Sequence, residues 1–193
     1  MKRSLVLLAV LLVAAVPFKV RQVLEKSFIN EREAVARYEA FAKTAESEGY
    51  PGAAALFRAC ARAEGVHAER FAEAMKERGL DVPQVPQSSP AIGSTAENLR
   101  GAALAEQGER DSVYKDALSA AHDAKDDALV TVFDQTRDTE VEHANLLTSA
   151  LRQLDSFKSP KSFYVCDKCG YTSDFGMGMC PLCRVNKHPH EVN

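Results

Sequence analysis

Metal-binding residue types recur along this chain in four short strings: Glu31, Glu64-x-x-His67, Glu106-x-x-Glu109 and Glu140-x-x-His143. Residues three apart lie on one face of a helix, so Glu64 with His67, and Glu140 with His143, can each present a carboxylate and an imidazole to one point. Two such pairs facing two further carboxylate helices build a dinuclear metal site inside a four-helix bundle. A single Glu-x-x-His is ordinary decoration of a solvated face. Four coordinated occurrences are different, because burying this many carboxylates without cations costs on the order of several kcal/mol per ion.

The spacing repeats as well. Glu31 to Glu64 spans 33 residues and Glu106 to Glu140 spans 34. Phe57 and Phe133 each stand seven positions before a ligand glutamate, and Ala68 and Ala144 each follow a histidine. The chain therefore reads as one helical hairpin used twice, as an internal duplication would produce. A Glu from each of two helices plus Glu-x-x-His from each of the other two is the ligand pattern of ferritin-like di-iron or di-manganese bundles.

A second constellation lies near the C-terminus, where Cys166, Cys169, Cys180 and Cys183 form two C-x-x-C knuckles. Each knuckle points two sulfurs at one centre, which suits a tetrahedral all-sulfur metal site better than two disulfides. Spacing alone does not separate iron from zinc. Cys60 stands apart, beside Phe57 and Ala61, and reads as a small buried hydrophobe.

The elements that position these groups follow from caps and breakers. A first helix runs from Val20 to Glu48 and stops at Gly49, and Pro51 suits the first turn of the second, which ends near Gly79. Residues 80–94 hold Pro83, Pro86 and Pro90 among polar residues and read as a long crossover. Ser94-x-x-Glu97 is a capping box opening the third helix, and the fourth spans Asp123 to Leu154. Gly65 and Gly108, inside the ligand pairs, either leave room for a ligand, a substrate or a close helix, or are simply tolerated. A polar linker at 155–161 leads to Phe163-Tyr164-Val165, whose types favour a short hairpin that holds the sulfurs. That module is too small to fold on a hydrophobic core, so metal binding supplies its folding free energy. The expected domains are a signal-like segment at 1–19, a ferritin-like bundle at 20–155 and a four-cysteine domain at 162–193.

With 193 residues and a net charge of −3, the chain has room for a bundle of about 130 residues and a small module. It carries no basic cluster with interleaved aromatics, which argues against a nucleic-acid partner. Lys2 and Arg3 precede twelve apolar residues, Leu5 to Val16, before Pro17. That run is too short for a spanning helix of about 20 residues but matches a signal peptide, with Val13 and Ala15 placed for cleavage after Ala15. The expectation is export to a periplasmic or other extracytoplasmic space. An uncleaved anchor and an apolar first turn of the first helix, hence a membrane-anchored or cytoplasmic protein, are the alternatives.

From about Val20 onward the residues resemble the rubrerythrin family. The matching stretches are Asn30-Glu31 to Arg37-Tyr38, Phe57 to Glu64-x-x-His67, Asn98-Leu99 to Glu106-x-x-Glu109 with Tyr114, and Glu140-x-x-His143. The resemblance implies a ferritin-like di-iron bundle joined to a rubredoxin-like module that holds one iron on four cysteines. It implies that Glu109 is the extra carboxylate of the family, that one iron changes partner between Glu109 and His67 with redox state, and that Tyr38 and Tyr114 hydrogen-bond site carboxylates. It also implies head-to-tail homodimers, in which the short linker lets a cysteine centre serve the iron pair of a neighbouring chain. The N-terminal extension, a short segment between the knuckles and Cys60 depart from the family pattern.

The function expected on these grounds is reduction of hydrogen peroxide to water at the di-iron site, with electrons from an external donor protein or reductase passing through the four-cysteine iron. Iron handling by a ferroxidase is a second reading, but it gives the cysteine module no task. A non-enzymatic redox sensor with structural zinc on the four cysteines is a third.

Overall fold

The computed structural model of this chain describes residues 15–86, 89–187 and 189–193. The signal-like run falls almost wholly outside these residues, and no helix among them is long and apolar enough to cross a membrane. Pro17 stands at the N-cap of the first helix, where its missing N–H costs nothing.

Helix α1 (Phe18–Ser47) and helix α2 (Pro51–Glu77) form the first antiparallel hairpin. They are joined at Gly49, whose φ of +80° is the left-handed conformation that ends a helix cheaply. The crossover delivers the chain to α3 (Thr95–Gly108), opened by the expected capping box of Ser94 and Glu97. Glu48 secures this junction from the far hairpin by accepting the Thr95 backbone N–H at 2.8 Å.

The third bundle helix is not one continuous α-helix. After α3 comes a π-helical turn, Glu109–Val113, then α4 (Tyr114–Asp123). The duplication explains the turn. Glu31 and Tyr38 are seven residues apart, whereas Glu106 and Tyr114 are eight apart. One extra residue in a straight α-helix would swing Tyr114 about 100° off the face of Glu106, and the wider π turn absorbs it.

Helix α5 (Asp127–Arg152) begins four residues later than expected. Lys125 adopts a φ of +54°, and Asp126 caps the new helix by accepting from the Leu129 N–H while its two carboxylate oxygens take the Arg78 guanidinium at 2.8 Å each. Two aromatic layers bracket the middle of the bundle: Tyr38, Phe41 and Phe57 on one side, Phe71, Tyr114 and Phe133 on the other. Phe57 and Phe133, matched in the repeat, fall one in each layer. Cys60 is fully buried in the first core, as its neighbours suggest. A Cβ on Gly65 or Gly108 would meet nothing within 4 Å, so neither glycine is needed for the close approach of another helix.

The linker is partly structured, with a 3-10 turn at Leu154–Lys158 whose Phe157 packs into the core beside α2. The cysteine module then forms strands β1 (Phe163–Val165), β2 (Thr172–Ser173) and β3 (His190–Val192), ordered β2-β1-β3 and antiparallel throughout. The hairpin is the expected one. The third strand, supplied by the C-terminus, is an addition that no local signal announced.

Candidate metal centres

Six of the seven residues expected at the dimetal site converge at mid-bundle, all essentially buried. They form two overlapping groups, Glu31, Glu64, His67 and Glu140 in one and Glu64, Glu106, Glu140 and His143 in the other, with ligand atoms within 4.8 Å of one another in each. The shared members straddle the site. Glu64 turns Oε2 to His67 Nδ1 at 2.8 Å and Oε1 to His143 Nδ1 at 3.2 Å. Glu140 repeats the pattern with Oε1 at 3.3 Å from His67 Nδ1 and Oε2 at 3.1 Å from His143 Nδ1. Glu64 and Glu140 are thus placed as bridges between two positions, with Glu31 and His67 completing one and Glu106 and His143 the other.

The tyrosines cross between hairpins. Tyr38 on α1 donates to Glu106 on α3, and Tyr114 on α4 donates to Glu31 on α1. Each phenol orients the terminal carboxylate of the opposite hairpin, the kind of support that tunes a metal ligand. Glu109 stands apart. At the first position of the π turn it lies outside both groups, close enough that burial, with Glu140 and Glu64 next, pushes its carboxyl up to about 8.

Without cations this cluster is electrostatically unbalanced. Burial and then the neighbouring carboxylates raise Glu31 and Glu106 well above the ordinary range. Burial resists charge on His143, but Glu64 and Glu140 overcome it and push the imidazole up to about 9. Glu31 Oε2, Glu64 Oε1, both oxygens of Glu140 and His143 Nδ1 are buried without a hydrogen-bond partner among the described residues. Orphaned acceptors on hard carboxylates and imidazoles, converging in pairs, fit two iron ions.

The four cysteines are also brought together. Cys166 and Cys183 sulfurs lie 3.6 Å apart, as do those of Cys169 and Cys180. Four metal–sulfur bonds of about 2.3 Å in a tetrahedron need sulfurs about 3.8 Å apart, so the cage has the dimensions of a mononuclear thiolate site. Each knuckle turns back through a left-handed residue directly after its second cysteine, Gly170 at φ +81° in one and Arg184 at φ +60° in the other. The Cys166 thiol is drawn down to about 5 by hydrogen bonding from Cys169, while Cys169 itself is pushed up. Four thiolates cannot share this cage without a cation.

The two centres touch within one chain. His67 Nε2 lies 3.1 Å from the Cys169 carbonyl oxygen, and His143 Nε2 lies 3.1 Å from Thr172 Oγ1, whose hydroxyl donates to the Gly170 carbonyl. Both Nε2 atoms are therefore donors toward the cysteine module, which leaves Nδ1 as the nitrogen that faces the carboxylate cluster and could hold a metal. The module folds back on its own bundle, so the cysteines stand against this chain's own carboxylate cluster. Arg62, paired with Asp167 at 2.6 Å, pins the outer edge of the contact. Thr172 was missed at the level of sequence. Nothing in its spacing marks it, because its role arises only where the module meets α5.

Comparison with known proteins agrees with this construction. Residues 22–151 match the rubrerythrin family model. A rubrerythrin of Porphyromonas gingivalis is 33% identical over 165 residues, covering 81% of each chain. A nigerythrin of Nitratidesulfovibrio vulgaris is 33% identical over 165 residues, covering 83% of this chain and 79% of its own. The structure of fully reduced, all-ferrous nigerythrin superposes with a TM-score of 0.78 at 30% identity, covering 90% of this chain and 86% of that one.

Proposed function

The chain belongs to the rubrerythrin family of di-iron oxidoreductases, and on that premise we propose that it reduces hydrogen peroxide to water, taking electrons from a donor protein through its cysteine module. The observation that carries the reading is the contact of both site imidazoles with the first knuckle, which gives the module a task that a ferritin-type iron oxidase would leave unused.

When bound, the iron pair supplies two electrons and Lewis acidity to peroxide, and the four-cysteine iron supplies single electrons to replace them. The chain's own residues do the rest. Glu64 and Glu140 hold the two positions at a set separation, Glu31 and Glu106 close them at either end, and Tyr114 and Tyr38 keep those carboxylates aimed. His67 is placed to hold one position, and Glu109, in the π turn beside the cluster, would be the carboxylate that exchanges with it between oxidation states. Burial by the two aromatic layers keeps bulk water from the site. The path from the cysteines runs through the Cys169 carbonyl to His67 in the same chain.

Two substitutions test the division of tasks. Cys166→Ser should abolish reduction of the iron pair by an external donor, yet a chemically prereduced sample should still consume one peroxide per pair. Glu109→Ala should do the reverse, leaving a red, reducible cysteine centre but slow turnover. A Cys166→Ser protein that turned over at the wild-type rate would remove the cysteine module from the electron path. We also propose export with cleavage after Ala15, and an intact mass that retains Met1 in native cytosolic protein would overturn it.

A further inference from the structure

Arg70 sits three residues beyond His67 on α2, in the seam where α2, α5 and the cysteine module meet. It lines one groove together with Cys183, Lys168, Gln135 and the acidic Glu69, Glu73 and Asp167. Its Nη2 donates to the neutral amide oxygen of Gln135 at 2.7 Å, its Nη1 is buried without a hydrogen-bond partner, and no carboxylate pairs with it among the described residues. A largely buried cation tied only to an amide is costly unless other negative charge compensates it. That charge is at hand in the thiolates. Burial lowers the Arg70 guanidinium below its ordinary range, and Cys169, Cys183 and Cys166, with the Glu73 carboxylate after them, are the charges opposing that fall.

We propose that Arg70 sets the reduction potential of the four-cysteine iron centre, holding it high enough to accept electrons readily from the donor. Four thiolates around ferric iron carry a net charge of −1, and one electron from a reductant takes the group to −2 with no bond made or broken. A fixed cation nearby favours the more negative state, and net charge is one of the quantities that sets such potentials. Gln135 acts as the strut, since its amide can hold the guanidinium in place without neutralising it.

The inference needs iron on the four cysteines but no particular oxidant, and the potential is read without turnover. It can therefore fail while the peroxidase reading stands, and the reverse. The experiment is a spectroelectrochemical titration of the iron-reconstituted full chain, following the red absorbance of the cysteine centre with one-electron mediators. Arg70→Met, which keeps much of the volume, should lower the ferrous-to-ferric ratio at a fixed solution potential about tenfold, a shift of about 59 mV for a one-electron couple. Arg70→Lys should restore most of it. Lys168→Gln removes the same charge from an exposed position, where solvent and salt screen it, and should shift the potential much less. The sign separates this role from mere coverage, because admitting water to the centre would favour the −2 state and raise the potential. An unchanged or raised potential in Arg70→Met, or an equal shift in Lys168→Gln, would overturn the assignment. If Arg70→Met does not fold, Gln135→Leu, which releases the guanidinium from its strut, must lower the potential in the same direction or the proposal fails.

Discussion

Replacing Gly170 with alanine would strike the point where the two metal centres meet. A Cβ there would stand 2.4 Å from His67 Nε2 and 2.8 Å from Cδ2, where ordinary contact begins near 3.4 Å, so the knuckle must retreat by about 1 Å. That retreat would stretch the His67 to Cys169 contact from 3.1 Å to about 4 Å, beyond hydrogen-bond range. Leaving the buried imidazole N–H unsatisfied costs about 1–3 kcal/mol. Holding alanine at a φ of +81° costs about 1–2 kcal/mol more. The two penalties are independent and together come to about 2–5 kcal/mol, a large share of the 5–15 kcal/mol typical of folded proteins. At about 2–4 °C per kcal/mol for a chain of this size, the midpoint of thermal unfolding should fall by about 4–20 °C. Electron transfer from the cysteine centre to the iron pair should slow, measured by stopped-flow reoxidation after peroxide is added to the fully reduced protein. A Gly170→Ala protein with unchanged melting and unchanged intrachain transfer would refute the close packing of the knuckle on His67.

Metal analysis should return about three ions per chain, two from the carboxylate cluster and one from the cysteines, and a single ion in a folded chain would sink the dimetal reading. Chelation should unfold the knuckles before the bundle, because the buried cluster around them consists of cysteine ligands and the strands beside them are two or three residues long; circular dichroism would keep its helical signal while thiol labelling rose. Thr172→Val removes the acceptor for the His143 Nε2–H and should weaken metal binding about 10–100-fold, read by competition with a chelator. Hydrogen bonding from Thr95 holds the Glu48 carboxyl below its unfolded value, so its contribution is present above the unfolded pKa and lost as pH falls through the lower folded one. The stability difference between wild type and Glu48→Gln should accordingly shrink on acidification, and a difference that held constant from pH 7 to pH 3 would show that the charge is idle.

Much of this molecule was legible along the chain. Ligand types at i, i+3 spacing, repeated at a 33- to 34-residue interval, dictated a bundle and placed six converging ligands, since helical periodicity alone decides which side chains share a face. The caps and breakers at Gly49, Pro51 and Ser94 marked boundaries for the same reason, being local backbone chemistry. Other features required the fold. Glu64 and Glu140 took the positions shared by both groups, and Glu31 and Glu106 the ends, only when four helices were set at fixed depths. The π turn was written in the eight-residue step from Glu106 to Tyr114, but its meaning depended on Tyr114 having to reach Glu31 on another hairpin. Thr172, Arg70 and the contact of Gly170 with His67 had no sequence signature at all. They belong to a seam between segments 29 to 102 residues apart, and such pairings are settled by how two folded surfaces fit, a property that no local run of residues encodes.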